Sequence, residues 1–234
     1  KSISDLSEKE LRLGGLRINP KTNIGSRVTF YNNVKIKKLK VKNGTVNQVK
    51  GLPKNPKLSN FSWSPDQTKI ALTNTTSQGV ELWLLDLKTG FVSKLTKPNL
   101  NANIGSVINW SGDSKSMLVK VISADKKPLI NTSLIVPDGP TVSTNFGEKA
   151  QNRTYQDLLK NKSDEQNFEQ LATSTIHKVY INGDSEKWLD DAMYRNISFS
   201  PDGNYVMVTQ IKKPFSYLVT YSRFPSKTDV YTKK

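Results

Sequence analysis

The sequence predicts an all-β fold, a partial β-propeller of about three four-stranded blades with an N-terminal segment and a partly helical insertion. Three observations support this prediction. A motif of aromatic residue, tight turn and apolar run occurs three times without a gap. Its copies recur at about the interval of a propeller blade, and the first copy lies in a unit with four short predicted strands.

The repeated motif reads "WSPDQTKIAL" at 63–72, "WSGDSKSMLV" at 110–119 and "FSPDGNYVMV" at 199–208. Each copy predicts a strand, a tight turn and a short buried strand, because Pro65 and Pro201 fit the second position of a type I turn. The aspartate of each turn can accept hydrogen bonds from turn N–H groups. Large aromatic residues at equivalent repeat positions fill the space between blades, so we expect burial between sheets for Trp63, Trp110 and Phe199.

The spacing of the copies supports the blade interpretation and locates an insertion. The first two aromatic positions are 47 residues apart, and the next interval is 89 residues, close to twice as long. The first unit contains four predicted strands, at about 58–63, 69–74, 79–86 and 91–95. We interpret the doubled interval as an insertion rather than a blade that lost its motif, because the intervening segment contains several prolines and the helix-like run "TYQDLLKNKSDEQNFEQLA".

The insertion, at about 124–172, would separate the second and third strands of the second blade. The predicted division of the chain follows from the three copies and this insertion. The N-terminal segment and a first partial blade occupy 1–57, and a blade follows at 58–105. The blade with the insertion occupies 106–195. The start of the next blade, at 196–234, leaves the propeller incomplete.

The composition excludes several classes of protein. No apolar run approaches 18 residues, which excludes a membrane-spanning helix, and the lack of cysteine excludes disulfides, thiolate zinc sites and a cysteine nucleophile. The formal net charge of +15 is compatible with a binder of nucleic acid or another anionic surface. However, the basic residues are scattered, and the densest run, "KIKKLKVK" at 35–42, is typical of a strand with a solvated lysine face. We therefore expect no nucleic-acid partner.

The residues that commonly carry catalysis are sparse. The single histidine, His177, has no partner at metal-ligand spacing, and no Gly-x-Ser-x-Gly nucleophile elbow is present, so we expect a structural role for it. Asp190 and Asp191 are adjacent and would face opposite sides of a strand, which makes them a weak acid/base pair. The sequence predicts no catalytic residue, no metal site and no cofactor.

Several segments resemble one protein family. The stretch at 6–39, "LSEKELRLGGLRINPKTNIGSRVTFYNNVKIKKL", is similar to the start of glutamyl-endopeptidase-type members of the prolyl oligopeptidase family of serine peptidases. "RTYQDLLKN" at 153–161, "SFSPDGNYVMV" and "KKPFSYLVTYSRFP" at 212–225 resemble later landmarks of that family in the same order. The last of these and "RTYQDLLK" are more specific than the Ser-Pro-Asp-Gly turns, which many propellers share.

The resemblance implies an N-terminal β-propeller over a C-terminal α/β-hydrolase domain that carries the catalytic Ser, Asp and His. Because this chain stops at "KTDVYTKK", we expect it to cover the first part of the propeller and to contain no member of that triad. The implied role is to gate access to the hydrolase domain and to shape its substrate channel. The implied partners are that domain or the remaining propeller half, together with peptide substrates.

Two other interpretations stay open at this stage. The chain could be a stand-alone, TolB-like propeller module that binds a protein partner, or a basic protein that binds anions or nucleic acid. The implied location is periplasmic or extracellular in a bacterium. A half-propeller leaves sheet edges and apolar faces uncovered, so we also expect this chain in isolation to dimerise, aggregate or bind its missing half.

If the substrates are acidic peptides, arginine is the residue best suited to bind their carboxylates. Arg153 is the only arginine of the insertion, and we expect it to contact the substrate or the domain interface with Tyr155 packed beside it. Arg195, just before the third repeat, is the second candidate. The alternative is that Arg153 caps a local helix or forms an i,i+4 pair with Asp157.

Overall fold

The structure is a computed structural model that describes residues 8–37, 46–131 and 155–232. Within these ranges, sixteen strands form five antiparallel sheets, accompanied by one α-helix and one 3-10 helix. The N-terminal sheet contains β1 (Leu11–Leu13), β2 (Leu16–Asn19) and β3 (Ile24–Gly25). A two-stranded sheet follows, made of β4 (Lys35–Lys37) and β5 (Val46–Gln48).

The three blade-like sheets follow in chain order. The first contains β6 (Leu58–Trp63), β7 (Lys69–Thr75), β8 (Val80–Asp86) and β9 (Phe91–Lys94). The second contains β10 (Ile108–Trp110), β11 (Ser116–Ile122), β12 (Ser174–Tyr180) and β13 (Ser185–Ala192). The third has three strands in the described part of the chain, β14 (Tyr194–Phe199), β15 (Tyr205–Ile211) and β16 (Ser226–Thr232). Each sheet is a meander of neighbouring strands, and together they form the predicted partial β-propeller.

The turn of each repeat copy is built as the sequence predicts. An aspartate Oδ1 accepts the backbone N–H two residues ahead, at 3.0 Å from Asp66 to Thr68, 3.0 Å from Asp113 to Lys115 and 3.1 Å from Asp202 to Asn204. The residue after each aspartate has a positive φ, and this position is filled by Gln67, Ser114 and Gly203. The motif therefore specifies a backbone conformation at all three positions, although only one of them carries glycine.

Apolar side chains pack between neighbouring blade sheets. Trp110 is 9% exposed and lies in a core cluster that joins Ala71 and Leu84 of the first sheet to Met117 of the second. Phe199 is half-buried against a second cluster, which contains Leu118 and other residues of the second and third sheets. The predicted burial between sheets is confirmed for Trp110, and Phe199 lies between sheets but is only half-buried.

The same prediction is wrong for Trp63, which is 60% exposed. Trp63 is the cross-strand neighbour of Ile70. Ile70 lies on the face of the first blade sheet that packs against β4 and β5. In the described part of the chain that neighbour has only two short strands, and it does not cover Trp63. Among the described residues, the first blade sheet therefore has no full neighbour that covers Trp63, whereas Trp110 packs against a complete four-stranded sheet.

The partly helical insertion is confirmed, with a later helix start than the sequence suggests. Strands β11 and β12 pair continuously from Ser116 with Tyr180 to Ile122 with Ser174, and the insertion connects them. Helix α1 (Lys162–Ala172) occupies its C-terminal part, whereas the helix-like sequence run begins at 154. The boundaries of the four predicted chain segments stay predictions.

Helix α1 begins where it does because of its N-cap. The Asn161 side chain accepts the Asp164 N–H at 2.9 Å, and the Asp164 carboxylate accepts the Lys160 N–H at 2.9 Å. The first bond satisfies an N–H group that the first turn leaves unpaired, and the second ties the residue before the N-cap to that turn. The helix then buries Phe168 and Leu171 in a core shared with the N-terminal sheet and with Phe224.

The lysine-rich run is described only in part, because 38–45 lie outside the described residues. Lys35 and Lys37 are exposed in β4, and Ile36 between them packs against the first blade sheet. The described part of the run is therefore a strand with a solvated lysine face, as predicted.

Candidate functional site

Three distant segments meet at a 3-10 helix, Tyr221–Arg223. Gly14, in the turn between β1 and β2, accepts the Tyr221 N–H at 2.7 Å, and the neighbouring Gly15 donates to the Asp157 carbonyl at 2.8 Å. The N-terminal sheet thereby holds the end of the insertion next to the C-terminal part of the chain. Below this junction, the Phe168 ring of α1 makes an edge-to-face contact with Phe224, with 5.6 Å between ring centroids.

Two of the predicted site residues contact this 3-10 helix. The Arg195 guanidinium donates through Nη1 to the Ser222 carbonyl oxygen at 2.9 Å. The Tyr155 ring lies under the Arg223 guanidinium, with 5.8 Å from Cζ to the ring centroid, which is within the range of a cation–π interaction. We call Tyr155, Arg195 and Arg223 the candidate site. Arg153 lies outside the described residues, so its predicted position next to Tyr155 stays a prediction.

The two arginines of the candidate site have no acidic partner among the described residues. Within the described residues, neither Arg195 nor Arg223 forms a salt bridge, and Arg223 is exposed. Their guanidinium groups keep N–H donors that no carboxylate of the described chain occupies. An exposed planar guanidinium next to an aromatic ring can bind a carboxylate with two parallel hydrogen bonds.

Asp157 forms an ion pair with Arg17, a partner that the sequence did not suggest. Arg17 Nε donates to Asp157 Oδ2 at 2.6 Å, and this hydrogen bond raises the pKa of Arg17. Asp157 has a φ of +59° and precedes α1, so it is not on a helix. The alternative interpretation, that Arg153 caps a local helix or forms an i,i+4 pair with Asp157, stays a prediction, because Arg153 lies outside the described residues.

Sequence reasoning missed Arg17 and Arg223. Arg17 reaches Asp157 across 140 residues of chain, and no local pattern signals a contact of that kind. Arg223 lies within the segment "KKPFSYLVTYSRFP", which resembles the family, and this resemblance could have identified Arg223 as a candidate.

The other residues considered for catalysis are separate from the candidate site. His177 Nδ1 lies 3.4 Å from Ser185 Oγ, and burial, followed by the charge of Lys187, lowers the pKa of His177. Asp191 accepts hydrogen bonds from Ser123 and Thr175. Asp190 instead pairs with Lys187. The two carboxylates thus have different partners, in agreement with the expectation that they point to opposite sides of the strand.

Two further properties concern the described residues only. They contain no cluster of three His, Cys, Asp or Glu side chains with the geometry of a metal site. None of their helices has the length and apolar character needed to cross a membrane.

The chain is similar to two plant proteins, each named "Probable glutamyl endopeptidase, chloroplastic". It is 32% identical to the protein of Oryza sativa subsp. japonica over 243 residues, which cover 98% of this chain and 26% of the relative. It is 31% identical to the protein of Arabidopsis thaliana over 247 residues, which cover 98% of this chain and 25% of that relative. The chain therefore spans about a quarter of the length of these curated relatives.

Among solved structures, an acylaminoacyl peptidase of Pyrococcus horikoshii is similar to 86% of this chain with a TM-score of 0.43 and 18% identity, over 26% of its own length. No family model matches the chain. The sequence similarity to the two plant proteins covers the chain almost from end to end, including all three repeat copies. Over almost its whole length the chain is thus similar to proteins of the glutamyl endopeptidase type, and its described residues form part of a β-propeller.

Proposed function

We propose that the chain is the non-catalytic N-terminal β-propeller portion of a glutamyl-endopeptidase-like serine peptidase, where it gates access to an α/β-hydrolase domain and shapes the substrate channel. The observation that carries this proposal is the 32% identity to the rice protein across 98% of the chain. The catalytic Ser, Asp and His would lie in the hydrolase domain, so no residue of this chain is assigned a catalytic role.

The exposed Trp63 supports a partner on the open side of the first blade sheet. Trp110 occupies the equivalent position one repeat later, and there the ring is buried against the preceding sheet. A further blade seated on the first sheet would bury Trp63 in the same way. The remaining propeller half is the partner that fits this repeat geometry.

The candidate site supports a role in substrate binding. Arg195 and Arg223 offer guanidinium donors beside the Tyr155 ring, and a peptide with a glutamate side chain supplies the carboxylate that such donors bind. Arg153, two residues before Tyr155, would add a third guanidinium. We assign these residues to binding of acidic peptides at the channel or at the domain interface.

Steady-state kinetics of the complete enzyme test this assignment. In separate variants, Arg223→Gln, Arg195→Gln and Arg153→Ala should each lower kcat/KM for a glutamate-containing peptide by about tenfold, equivalent to about 1.4 kcal/mol. Cleavage of the same peptide with glutamine in place of glutamate should change much less. Lys88→Gln removes a positive charge from an exposed hairpin turn and serves as the matched control.

Two outcomes contradict the substrate role. One is an equal loss for the glutamate and glutamine peptides. The other is a loss of activity that parallels a loss of thermal stability, which would identify the arginines as structural residues.

The gating role has its own test. In the complete enzyme, Trp63→Asp places a charge at the contact proposed for the remaining propeller half. It should loosen that contact and raise the rate of cleavage of an unfolded protein relative to a short peptide. An unchanged ratio of the two rates, with Lys88→Gln as the reference, argues against gating at this contact.

The alternative is a stand-alone propeller module that binds a protein partner. Labelling of the intact protein by a fluorophosphonate, which reacts with activated serines, separates the two functions. Labelling supports the peptidase, whereas its absence in a folded intact protein supports the binding module. We also propose a periplasmic or extracellular location, which cell fractionation tests; the names of the two plant relatives place those proteins in chloroplasts.

A further inference from the structure

The excess positive charge of the described residues is concentrated in the first part of the chain. Residues 8–37 and 46–100 carry fourteen lysine and arginine side chains against five aspartates and glutamates. The described residues after 100 carry thirteen basic side chains against twelve acidic ones. The excess therefore lies in and around the N-terminal sheet, the two-stranded sheet and the first blade sheet.

The two-stranded sheet presents lysines on one of its faces. Lys35 and Lys37 flank Ile36 in β4, and Ile36 packs into a core cluster of the first blade sheet, so the two lysines point to the opposite side. Their cross-strand partners in β5 are Gln48 and Val46, which share that side. Both partners are exposed, and Val46 is 47% exposed. This face thus combines two lysines with an exposed aliphatic side chain.

The exposed face continues from the two-stranded sheet to the first blade sheet through Lys50. Lys50 lies two residues after Gln48 and on the same side of the chain, because Val49 between them is buried. The Val92 N–H donates to the Lys50 carbonyl oxygen at 2.8 Å, and a parallel bridge makes Lys50 the neighbour of Phe91. Val49 and Val92 belong to one core cluster, so Lys50 and Phe91 share the exposed side, where Phe91 is 52% exposed.

We call this surface the lysine face; it comprises Lys35, Lys37, Val46, Lys50 and Phe91. Within the described residues, none of its three lysines forms a salt bridge. The neighbouring carboxylate is that of Asp86, the cross-strand partner of Phe91. Asp86 Oδ1 already accepts the N–H of Thr89 at 2.8 Å and its hydroxyl at 3.0 Å. The charges of the three lysines are therefore available to an external anion.

The composition of the lysine face suits an anionic membrane surface. A lysine is a compact point charge that a layer of phosphate groups attracts without the fixed geometry of a bidentate pair. Exposed aromatic and aliphatic side chains beside such lysines can enter the boundary between the headgroups and the acyl chains. A single-stranded nucleic acid is instead usually bound in a groove by several stacked rings, whereas this face is a sheet surface with one ring.

We propose that the lysine face binds the surface of a membrane that contains anionic phospholipids. Lys35, Lys37 and Lys50 are attracted to the lipid phosphates, while Phe91 and Val46 contact the boundary of the acyl chains. This binding is peripheral and involves no membrane-spanning segment. The proposal does not rest on the peptidase role, and its ligand, a layer of phosphodiesters, differs from the carboxylate assigned to the candidate site.

Co-sedimentation of the intact protein with lipid vesicles tests the proposal. We expect binding to vesicles of phosphatidylglycerol and phosphatidylcholine in equal parts, and much weaker binding to vesicles of phosphatidylcholine alone. Phosphatidylglycerol carries a phosphate and no carboxylate, so the measurement is separate from acidic-peptide binding. Raising the salt concentration from about 0.1 M to about 1 M shortens the screening length from about 10 Å to about 3 Å and should release most of the bound protein.

A triple variant measures the contribution of the lysines. Together, Lys35→Gln, Lys37→Gln and Lys50→Gln should lower the partition coefficient onto the anionic vesicles by about a hundredfold, because each lysine contributes about fivefold. Thermal stability should stay nearly unchanged, since the three side chains are exposed and form no salt bridge within the described residues.

A matched triple variant removes the same charge from the rest of the described chain. It combines Lys115→Gln, Lys127→Gln and Lys160→Gln, all at exposed positions in the second blade sheet or the insertion. Vesicle binding should fall far less in this variant than in the variant of the lysine face. The single variant Phe91→Ser should lower binding by about fivefold and leave its salt dependence in place, because it removes an apolar contact and no charge.

Chemical labelling locates the contact in the unaltered protein and so does not depend on how a variant folds. An amine-reactive ester acetylates exposed lysines, and mass spectrometry reports each position. Bound anionic vesicles should lower the labelling of Lys35, Lys37 and Lys50, whereas Lys115 and Lys127 should be labelled as in the free protein.

Several results would overturn the proposal. They are equal sedimentation with the anionic and the phosphatidylcholine vesicles, equal losses in the two triple variants, or protection from labelling that spares the lysine face. Polyuridylate that binds more tightly than the anionic vesicles, with the same dependence on the three lysines, would identify a nucleic acid and not a membrane as the partner of this face.

Discussion

The indole Nε1 of Trp110 donates a hydrogen bond to the carbonyl oxygen of Ser62, 3.2 Å away, and so joins the second blade sheet to the first. The ring itself is buried among apolar side chains of both sheets. One residue thus supplies both a polar and an apolar contact across the interface between two blades.

Replacement of Trp110 should therefore lower the stability of the fold strongly, whereas replacement of Trp63, the equivalent residue of the first repeat copy, should not. Trp110→Ala is expected to lower the free energy of unfolding by about 3–5 kcal/mol, because a buried aromatic ring is lost and a cavity forms. Trp63→Ala should cost less than about 1 kcal/mol in this chain, since the ring is mostly exposed. Urea denaturation of the two variants measures both values, and similar losses would contradict the assigned difference in packing.

Gly105 should not tolerate a side chain. It has a φ of +61°, and a Cβ there would lie 2.2 Å from the Arg195 carbonyl oxygen. Gly105→Ala should destabilise the fold by more than about 2 kcal/mol, because backbone strain and a steric clash add together. Gly183→Ala is the matched control, since Gly183 also has a positive φ, +96°, but nothing lies within 4 Å of its Cβ position. Thermal denaturation of the two variants measures the difference. An equal loss of stability in Gly105→Ala and Gly183→Ala would show that the close approach of Gly105 to Arg195 is unimportant.

Glu10 should make stability depend on acidic pH. Hydrogen bonds from Ser26, and then from Arg12 and Arg27, lower the pKa of Glu10 to about 2. Because the folded-state pKa is below the unfolded value, the stabilisation is present above about pH 4.5 and is lost as the pH falls toward 2. Glu10→Gln should thus be less stable than the parent protein at neutral pH, and the difference should shrink over that window. A difference that stays constant from pH 7 to pH 2.5 would count against the ionised Glu10.

Lys120 should make stability depend on pH in the basic range. Its side chain is buried and donates to the Ile104 carbonyl oxygen, and burial lowers the pKa of Lys120 to about 7. The unfolded chain binds more protons than the folded one between about pH 7 and the ordinary lysine pKa of 10.5, so stability should rise with pH across that window. Lys120→Met should lack this rise, as measured by urea denaturation at pH 6, 8 and 9.5. A parallel pH dependence of parent and variant would contradict the assignment.

The repeat motif allowed much of the fold to be predicted, because its signals are local. The turn aspartates and the short apolar runs depend on neighbours a few residues away, and their strands lie where the sequence predicts. The exposure of Trp63 could not be predicted in this way, since it depends on what packs against the sheet. The start of α1 was placed too early, because the run after 154 has a helical composition and the cap at Asn161 was overlooked.

The candidate site was predictable only in part. Tyr155 and Arg195 were selected for their residue types, and the structure brings both to the 3-10 helix. Their meeting point depends on segments far apart in the chain, including the turn at Gly14 and the ion pair of Arg17 with Asp157. Contacts of that kind leave no periodic pattern in a single sequence, so Arg17 and Arg223 were missed.

The position of the insertion has a consequence for how this sequence can vary. Ile122 and Ser174 are paired neighbours in the sheet although residues 123–173 separate them along the chain. Closing a connection of that length costs about 2 kcal/mol more than closing a four-residue hairpin, because the entropy of loop closure grows only with the logarithm of length. Lengthening or shortening the connection by ten residues would change that cost by only a few tenths of a kcal/mol. Relatives can therefore differ widely in length at this point while the second blade keeps its strand register.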